Sequence, residues 1–187
     1  MKLFIISDTH GNLDKVYDIY KNISDIDAIV HLGDFEADAK ELQKVLGVDV
    51  ISVKGNMDGS YSDNDFKILE VECGKLYLSH GHMENVKLKY QNIYYRAIEN
   101  NCMAAIFGHT HKPVFEELGD IFLINPGSLS LPADGSQGSY IILNTTCEGI
   151  QGSISYYKDT CGSKVKPKSQ KVQGGYIRGL LNYSDRF

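Results

Sequence analysis

The sequence predicts an α/β fold in which two mixed β-sheets pack face to face as a sandwich with helices outside. Short apolar runs alternate with helical periodicity through the first third of the chain, as in βαβ units with parallel strands. Paired β-rich runs around glycine-containing turns follow, and these read as antiparallel hairpins. Five of the apolar runs end in compact polar clusters, which an open sheet gathers outside the carboxyl ends of its strands.

Taken in order, "LFIIS" (3–7) reads as a buried strand, and Leu13, Val16, Tyr17, Tyr20 and Ile23 recur at helical spacing. "AIVHL" (28–32) is a second strand, followed by a helix over Ala37–Leu46 that stops at Gly47. "VISVK" (50–54) is a third strand. "KILEV" and "KLYLS" flank Cys73-Gly74, and "VFEEL" and "IFLIN" flank Gly119-Asp120, giving two hairpins. Between the hairpins lie a helical stretch over 86–100 and the strand "AAIF"; "SYIILN" and "GSISYY" supply the late strands. The domain is expected to close at residue 157. Residues 158–187 read as a linker carrying Lys164, Lys166, Lys168 and Lys171, then a docking tail with Ile177, Leu180, Leu181 and Tyr183. That tail is expected to dock on the chain's own core or on a second copy, making a homo-oligomer.

Composition excludes several classes. The 187 residues are 42% hydrophobic and 23% charged, ordinary for a globular domain with a sizeable core. No run approaches the ~20 apolar residues that a membrane helix needs, and the N-terminus lacks a secretory h-region. The four cysteines (Cys73, Cys102, Cys147 and Cys161) contain no C-x-x-C pair, which favours free thiols and a cytoplasmic location. A net charge of −5 weighs against nucleic acid as a partner.

The polar clusters are "DTH" (8–10), "GD" (33–34), "GNMD" (55–58), "HGH" (80–82) and "GHTH" (108–111). If the backbone is extended there, residues i and i+2 point the same way at about 3.3 Å per residue. Asp8 and His10 then clasp one cation, and His109 and His111 reach two neighbours. Glycines at 11, 33, 55, 81 and 108 are expected to let the chain turn sharply. Carboxylates, imidazoles and one amide, with no thiolate, suit Mn²⁺, Fe or Zn²⁺.

The order D-x-H, G-D, G-N, H-G, G-H-x-H over residues 1–157 resembles the motif series of the calcineurin-like metallophosphoesterases. "NPGS" (125–128) is similar to their small prokaryotic phosphodiesterase branch. The resemblance implies a four-layer αββα sandwich and two divalent metal ions, Mn²⁺ first among Mn²⁺, Zn²⁺, Ni²⁺ and Fe. One ion takes Asp8, His10, Asp34 and His111; the other takes Asp34, Asn56, His80 and His109, with Asp34 bridging. It further implies hydrolysis of phosphodiesters by a hydroxide bridging the metals. The expected substrate is a small phosphodiester or nucleotide-like molecule.

His82 is expected either to touch phosphate with Asn56 or to support His80. His31 and Asp58 are expected behind the ligands, and Ser128 reads as a structural loop residue with a hydrogen bond to give near the site. One position departs from the pattern: the residue after G-N is Met57, where many members carry a histidine credited with assisting the leaving group. A thioether has no proton to give. The rival readings are a phosphomonoesterase, a nuclease, and a non-catalytic scaffold such as the retromer subunit of similar fold. Every ligand position here is filled by a competent ligand, which favours the enzyme.

Overall fold

The computed structural model describes residues 1–59 and 65–162. Its elements run β1 (Lys2–Ile6), α1 (Asp14–Tyr20), β2 (Ala28–His31), α2 (Glu36–Leu46) and β3 (Asp49–Ser52). They continue with β4 (Phe66–Val71), β5 (Gly74–Ser79), α3 (Gln91–Glu99), β6 (Ala104–Phe107), β7 (Pro113–Leu118) and β8 (Ile121–Pro126). β9 (Ser139–Thr146), β10 (Gly149–Tyr156) and α4 (Tyr157–Cys161) complete it. One five-stranded sheet has the order β10-β9-β1-β2-β3 and the other β4-β5-β6-β8-β7. β1, β2 and β3 are mutually parallel, as are β5, β6 and β8; the remaining strands pair antiparallel at the flanks.

Period-two alternation assigns each strand residue to a layer. In β1, Leu3 and Ile5 join Val30, Ile141, Leu78, Ile106 and Ile124 in a cluster drawn from both sheets. Phe4 and Ile6 point the other way, onto Val16 and Ile19 of α1 and Leu42 of α2. In β6 the same switch puts Ile106 between the sheets, while Ala105 and Phe107 meet Ile93 and Ala97 of α3. The layers are therefore helix, sheet, sheet, helix. Gly47 caps α2 in the left-handed conformation, φ 66°, which glycine adopts without steric cost.

Three boundaries differ from the sequence reading. The helical stretch begins at Gln91, because the backbone at 81–90 is occupied by turns: Val86 donates to the Gly81 carbonyl, and Val86 is buried. β10 starts earlier, pairing Gly149 with Thr146, and ends before Tyr157. Tyr157 opens α4, whose Tyr157 and Cys161 pack on the α1 side of the first sheet. The remaining tail, with Ile177, Leu180, Leu181 and Tyr183, lies outside the described residues, as do the four lysines before it.

All four cysteines are free thiols. No helix among the described residues is long and apolar enough to cross a membrane.

Ile106 is fully buried between the sheets, so Ile106→Ala removes a side chain with no route for neighbours to collapse. It should cost about 2–5 kcal/mol, read as a lower urea midpoint with an unchanged slope.

Candidate metal centre

Every predicted ligand lies just past the carboxyl end of a parallel strand: Asp8 and His10 after β1, Asp34 after β2, Asn56 after β3, His80 after β5, and His109 and His111 after β6. The strands are parallel within each sheet, so these ends gather at one edge. Ligand atoms of Asp8, His10 and His111 fall within 4.8 Å of one another, and so do those of Asp8, Asp34 and His80. Asn56 Oδ1 and His109 Nδ1 join at 3.2 and 3.1 Å from His80 Nε2. All seven are brought together.

The local geometry differs from the extended backbone expected there. Asp8, His10, Asp34, His109 and His111 have φ between 49° and 65°, the left-handed region that non-glycine residues seldom enter. The i, i+2 pairs converge because the chain coils at each strand end, not because it stays pleated. Glycine's role also differs at two of the five positions. Gly55 and Gly108 lack positive φ; a Cβ at Gly55 would collide with the Asp34 carboxylate, and one at Gly108 with Ser7 Oγ and Asp8. They are glycines so that backbone can press against ligands.

Hydrogen bonds aim the ligands. Asp8 is fully buried; its Oδ2 accepts from the Ser7 hydroxyl at 2.5 Å and the His109 N–H at 3.0 Å. Its Oδ1 has no hydrogen-bond partner, although His111 Nε2 lies 3.1 Å away without suitable geometry. His80 Nδ1 faces the Leu32 carbonyl at 2.7 Å and must donate to it. The lone pair of Nε2 is then turned toward Asn56 Oδ1, His109 Nδ1 and, at 3.5 Å, Asp34 Oδ1. His111 Nδ1 likewise donates to the Leu131 carbonyl at 2.7 Å. Such bonds fix the tautomer and leave the other nitrogen free to ligate.

Among the described residues, the buried side-chain nitrogen and oxygen atoms left without hydrogen-bond partners are Asp8 Oδ1, His10 Nε2 and His82 Nδ1. A cluster of acceptors facing one another is repulsive unless a cation sits among them, so these residues fit a metal centre. Burial pushes the Asp8 carboxyl up, but His111, His80 and Ser7 together hold it below the usual range. Burial, with His80 and Lys87 adding to it, pushes His109 down to about 4, so its imidazole is neutral at pH 7 with a lone pair available. The Asp8 carboxylate raises His111.

The residues expected behind the ligands are placed as follows. Asp58 accepts the N–H groups of Phe35 and Glu36 at 2.6 Å each, and of Gly55 at 2.8 Å. It thereby ties the "GNMD" loop to the "GD" loop and caps α2. His31 is buried and bonded to Thr9 Oγ1 at 2.9 Å, while Thr9 donates to Asp38; burial holds His31 below its ordinary pKa. His82 is half-buried, its ring centroid 5.4 Å from that of His80 and 6.1 Å from that of His109. Ser128 donates to the Asp8 carbonyl at 2.9 Å, a structural bond.

Ser7, Thr9, Asp38, Asn125 and Lys87 were not singled out from sequence. Asn125 donates to the Gly108 carbonyl and to Thr110, pinning the "GHTH" loop from β8. Lys87 is exposed, makes no ion pair among the described residues, and lies near enough to lower both His109 and His111. Asp38 sits 29 residues from Thr9, and no local pattern marks such a contact.

Fold and site together define a metal-binding α/β sandwich. The chain belongs to the calcineurin-like phosphoesterase superfamily, whose domain model matches residues 1–148. It is 32% identical over 173 residues to the "Probable metallophosphoesterase YsnB" of Bacillus subtilis, covering 92% of this chain and 99% of that one. It is 33% identical to the "Phosphodiesterase YfcE" of Escherichia coli, covering 77% and 88%. The solved YfcE structure superposes with a TM-score of 0.64, at 28% identity over 86% of this chain and 95% of that chain. Vps29 from Entamoeba histolytica, solved with Zn²⁺, shares the fold with a TM-score of 0.67, at 18% identity over 84% and 99%.

Asp34→Asn weakens a carboxylate placed beside His80, whereas His31 touches no ligand atom through its Thr9 bond. Metal analysis should show Asp34→Asn holding less metal than the parent, with turnover lower by roughly 100-fold or more. His31→Ala should keep its metal and lose about 2–3 kcal/mol of stability. Equal metal content in Asp34→Asn and the parent removes Asp34 from the centre.

Proposed function

We propose that this chain is a phosphodiesterase that works with two divalent ions, Mn²⁺ foremost, on a small phosphodiester or nucleotide-like substrate. One observation carries the reading: seven ligand-competent side chains from both sheets meet at one edge of the sandwich, and two of them, Asp8 and His10, hold buried atoms without a partner. Asp8, His10, Asp34 and His111 would hold one ion and Asp34, Asn56, His80 and His109 the other. The two groups of ligand atoms that lie within 4.8 Å of one another share Asp8, so Asp8 would serve beside Asp34 in holding the pair. Two such ions make a nucleophile of water at neutral pH and offset phosphoryl charge.

The chain's own residues do the rest. His109, neutral because it is buried, offers its lone pair without first shedding a proton. His82 lies beside His80 and His109 and, with the Asn56 amide, serves to orient a phosphoryl oxygen. Lys87, exposed and near enough to His109 and His111 to lower both, adds positive charge beside them, favouring an anion despite the acidic balance of the chain. The relatives named as phosphodiesterases support the reaction class.

At the position after Asn56, Met57 gives its backbone N–H to Asp34 Oδ1 at 3.0 Å, and its side chain is 61% exposed. The backbone therefore serves the carboxylate while the side chain offers no acid. A positioned acid contributes about 10²–10⁴-fold, and without it an alkoxide leaves poorly while an aryl oxide leaves unaided. Activated diesters such as aryl phosphodiesters are the preferred substrates over alkyl monoesters.

Chelation should abolish hydrolysis of an aryl phosphodiester and added Mn²⁺ restore it. Full turnover by a chain shown to hold no metal would falsify the reading.

Met57→His should raise rates for poor leaving groups more than for aryl ones, flattening a plot of log rate against leaving-group pKa. A parent slope already near zero, or an unchanged slope in the variant, means that Met57 does not set the substrate range.

A further inference from the structure

Four exposed apolar residues adjoin residues of the metal centre, along the chain or through a contact or bond. Phe35 follows Asp34, and its ring lies edge-on to His10 with centroids 5.8 Å apart. Met57 follows Asn56, Met83 follows His82, and Leu131 supplies the carbonyl that orients His111. They are 37%, 61%, 53% and 54% exposed respectively. Exposed apolar residues scattered singly need no explanation. These four instead neighbour residues of one polar centre, and the Phe35 ring touches it directly at His10.

Phe35 adds an independent observation. It holds φ 97° and ψ 75°, a left-handed conformation that is a genuine outlier for an aromatic residue. Asp58 keeps it there by accepting its N–H, and the ring stands over Gly11, where even a Cβ would touch it at 3.6 Å. A glycine would relieve the backbone at position 35. Strain of this kind persists where the surroundings enforce it, and it clusters at ligand sites.

Resting on the phosphodiesterase reading above, we propose that Phe35, Met57, Met83 and Leu131 form an apolar rim that receives an aromatic arm of the phosphodiester, with Phe35 the main specificity-determining residue. A diester brings two organic arms to the metals, and the arm that does not leave must rest on the protein beside them. A phenyl ring and two thioethers suit an aromatic arm, since both pack favourably on π-faces. The rim is continuous with the centre that holds the phosphate. Four side chains around a polar opening are too few for a stable protein interface.

Two substrates with the same leaving group and charge isolate the effect: bis(4-nitrophenyl) phosphate and methyl 4-nitrophenyl phosphate. With the Mn²⁺-loaded full chain, Phe35→Ala should lower the kcat/KM ratio of the first to the second roughly tenfold, chiefly through KM. Phe35→Tyr should restore most of it. Leu131→Ser and Met83→Ser should each lower the ratio two- to fivefold, on the order of a few lost apolar contacts, and Val45→Ser, exposed on α2, should not change it. Calorimetric binding of diphenyl phosphate against dimethyl phosphate gives the same comparison without turnover.

An unchanged ratio, or an equal fall on both substrates, in Phe35→Ala overturns the rim. Should Phe35→Ala lose its fold or its metal, unchanged ratios in both Leu131→Ser and Met83→Ser overturn it instead. A parent chain that binds two Mn²⁺ ions yet hydrolyses neither diester defeats the phosphodiesterase reading itself, a result separate from any change in ratio.

Discussion

The arrangement turns on a fully buried carboxylate that is only half satisfied. Asp8 gives one oxygen to the Ser7 hydroxyl and the His109 N–H and leaves the other bare. Leaving a charged acceptor unpaired in the interior is among the most expensive things a fold can do. His111 and His80 bring their Nε2 lone pairs toward the same oxygen from the opposite sheet, so a cation among them is what would reconcile it to burial. Their own orientations depend in turn on the Leu131 and Leu32 carbonyls. Around that oxygen the loops close as they do: Gly108 is small to admit Asp8, and Asn125 holds the Gly108 carbonyl from behind.

Much of this was legible in the sequence, and for a physical reason. Strands buried on both faces read as continuous apolar runs, so "LFII" and "AAIF" announced their position in the sandwich, and the polar clusters after them announced the edge. The seven ligand positions follow such runs, and their assignment as ligands rests on the resemblance of the motif series to the metallophosphoesterases. Backbone conformation was not legible. An extended chain and a left-handed coil both bring residues two apart together, and sequence spacing cannot tell them apart; the φ values of Asp8, His10, His109 and His111 decide for the coil. Gly55 and Gly108 looked like turn formers and proved to be residues of close approach, because what excludes a Cβ there is a side chain far away in sequence.

The supporting contacts were the least legible. Thr9 bonds both His31 and Asp38, and Asp38 also takes the Gly11 N–H at 2.9 Å. These partners come from three separate segments, and nothing local in any of them predicts the others. Asp58 was recognisable as the acid after G-N-M, yet its three backbone donors come from two loops that only tertiary structure brings together. The early start expected for α3 has a similar origin. Val86 fits a helical period, but its N–H is taken by Gly81 to shape the "HGH" turn.

The ligands come from both halves of the sandwich, Asp8, His10, Asp34 and Asn56 from one sheet and His80, His109 and His111 from the other. An ion among them is consequently a rivet across the interface between the two layers. It binds the closed sandwich and not the opened chain, so free metal at about 100 times its dissociation constant adds about 2.7 kcal/mol to stability. Half the typical margin of a small domain is of that order. Divalent metal would thereby act on the closure of the two layers, and so on the resistance of the fold to opening and proteolysis.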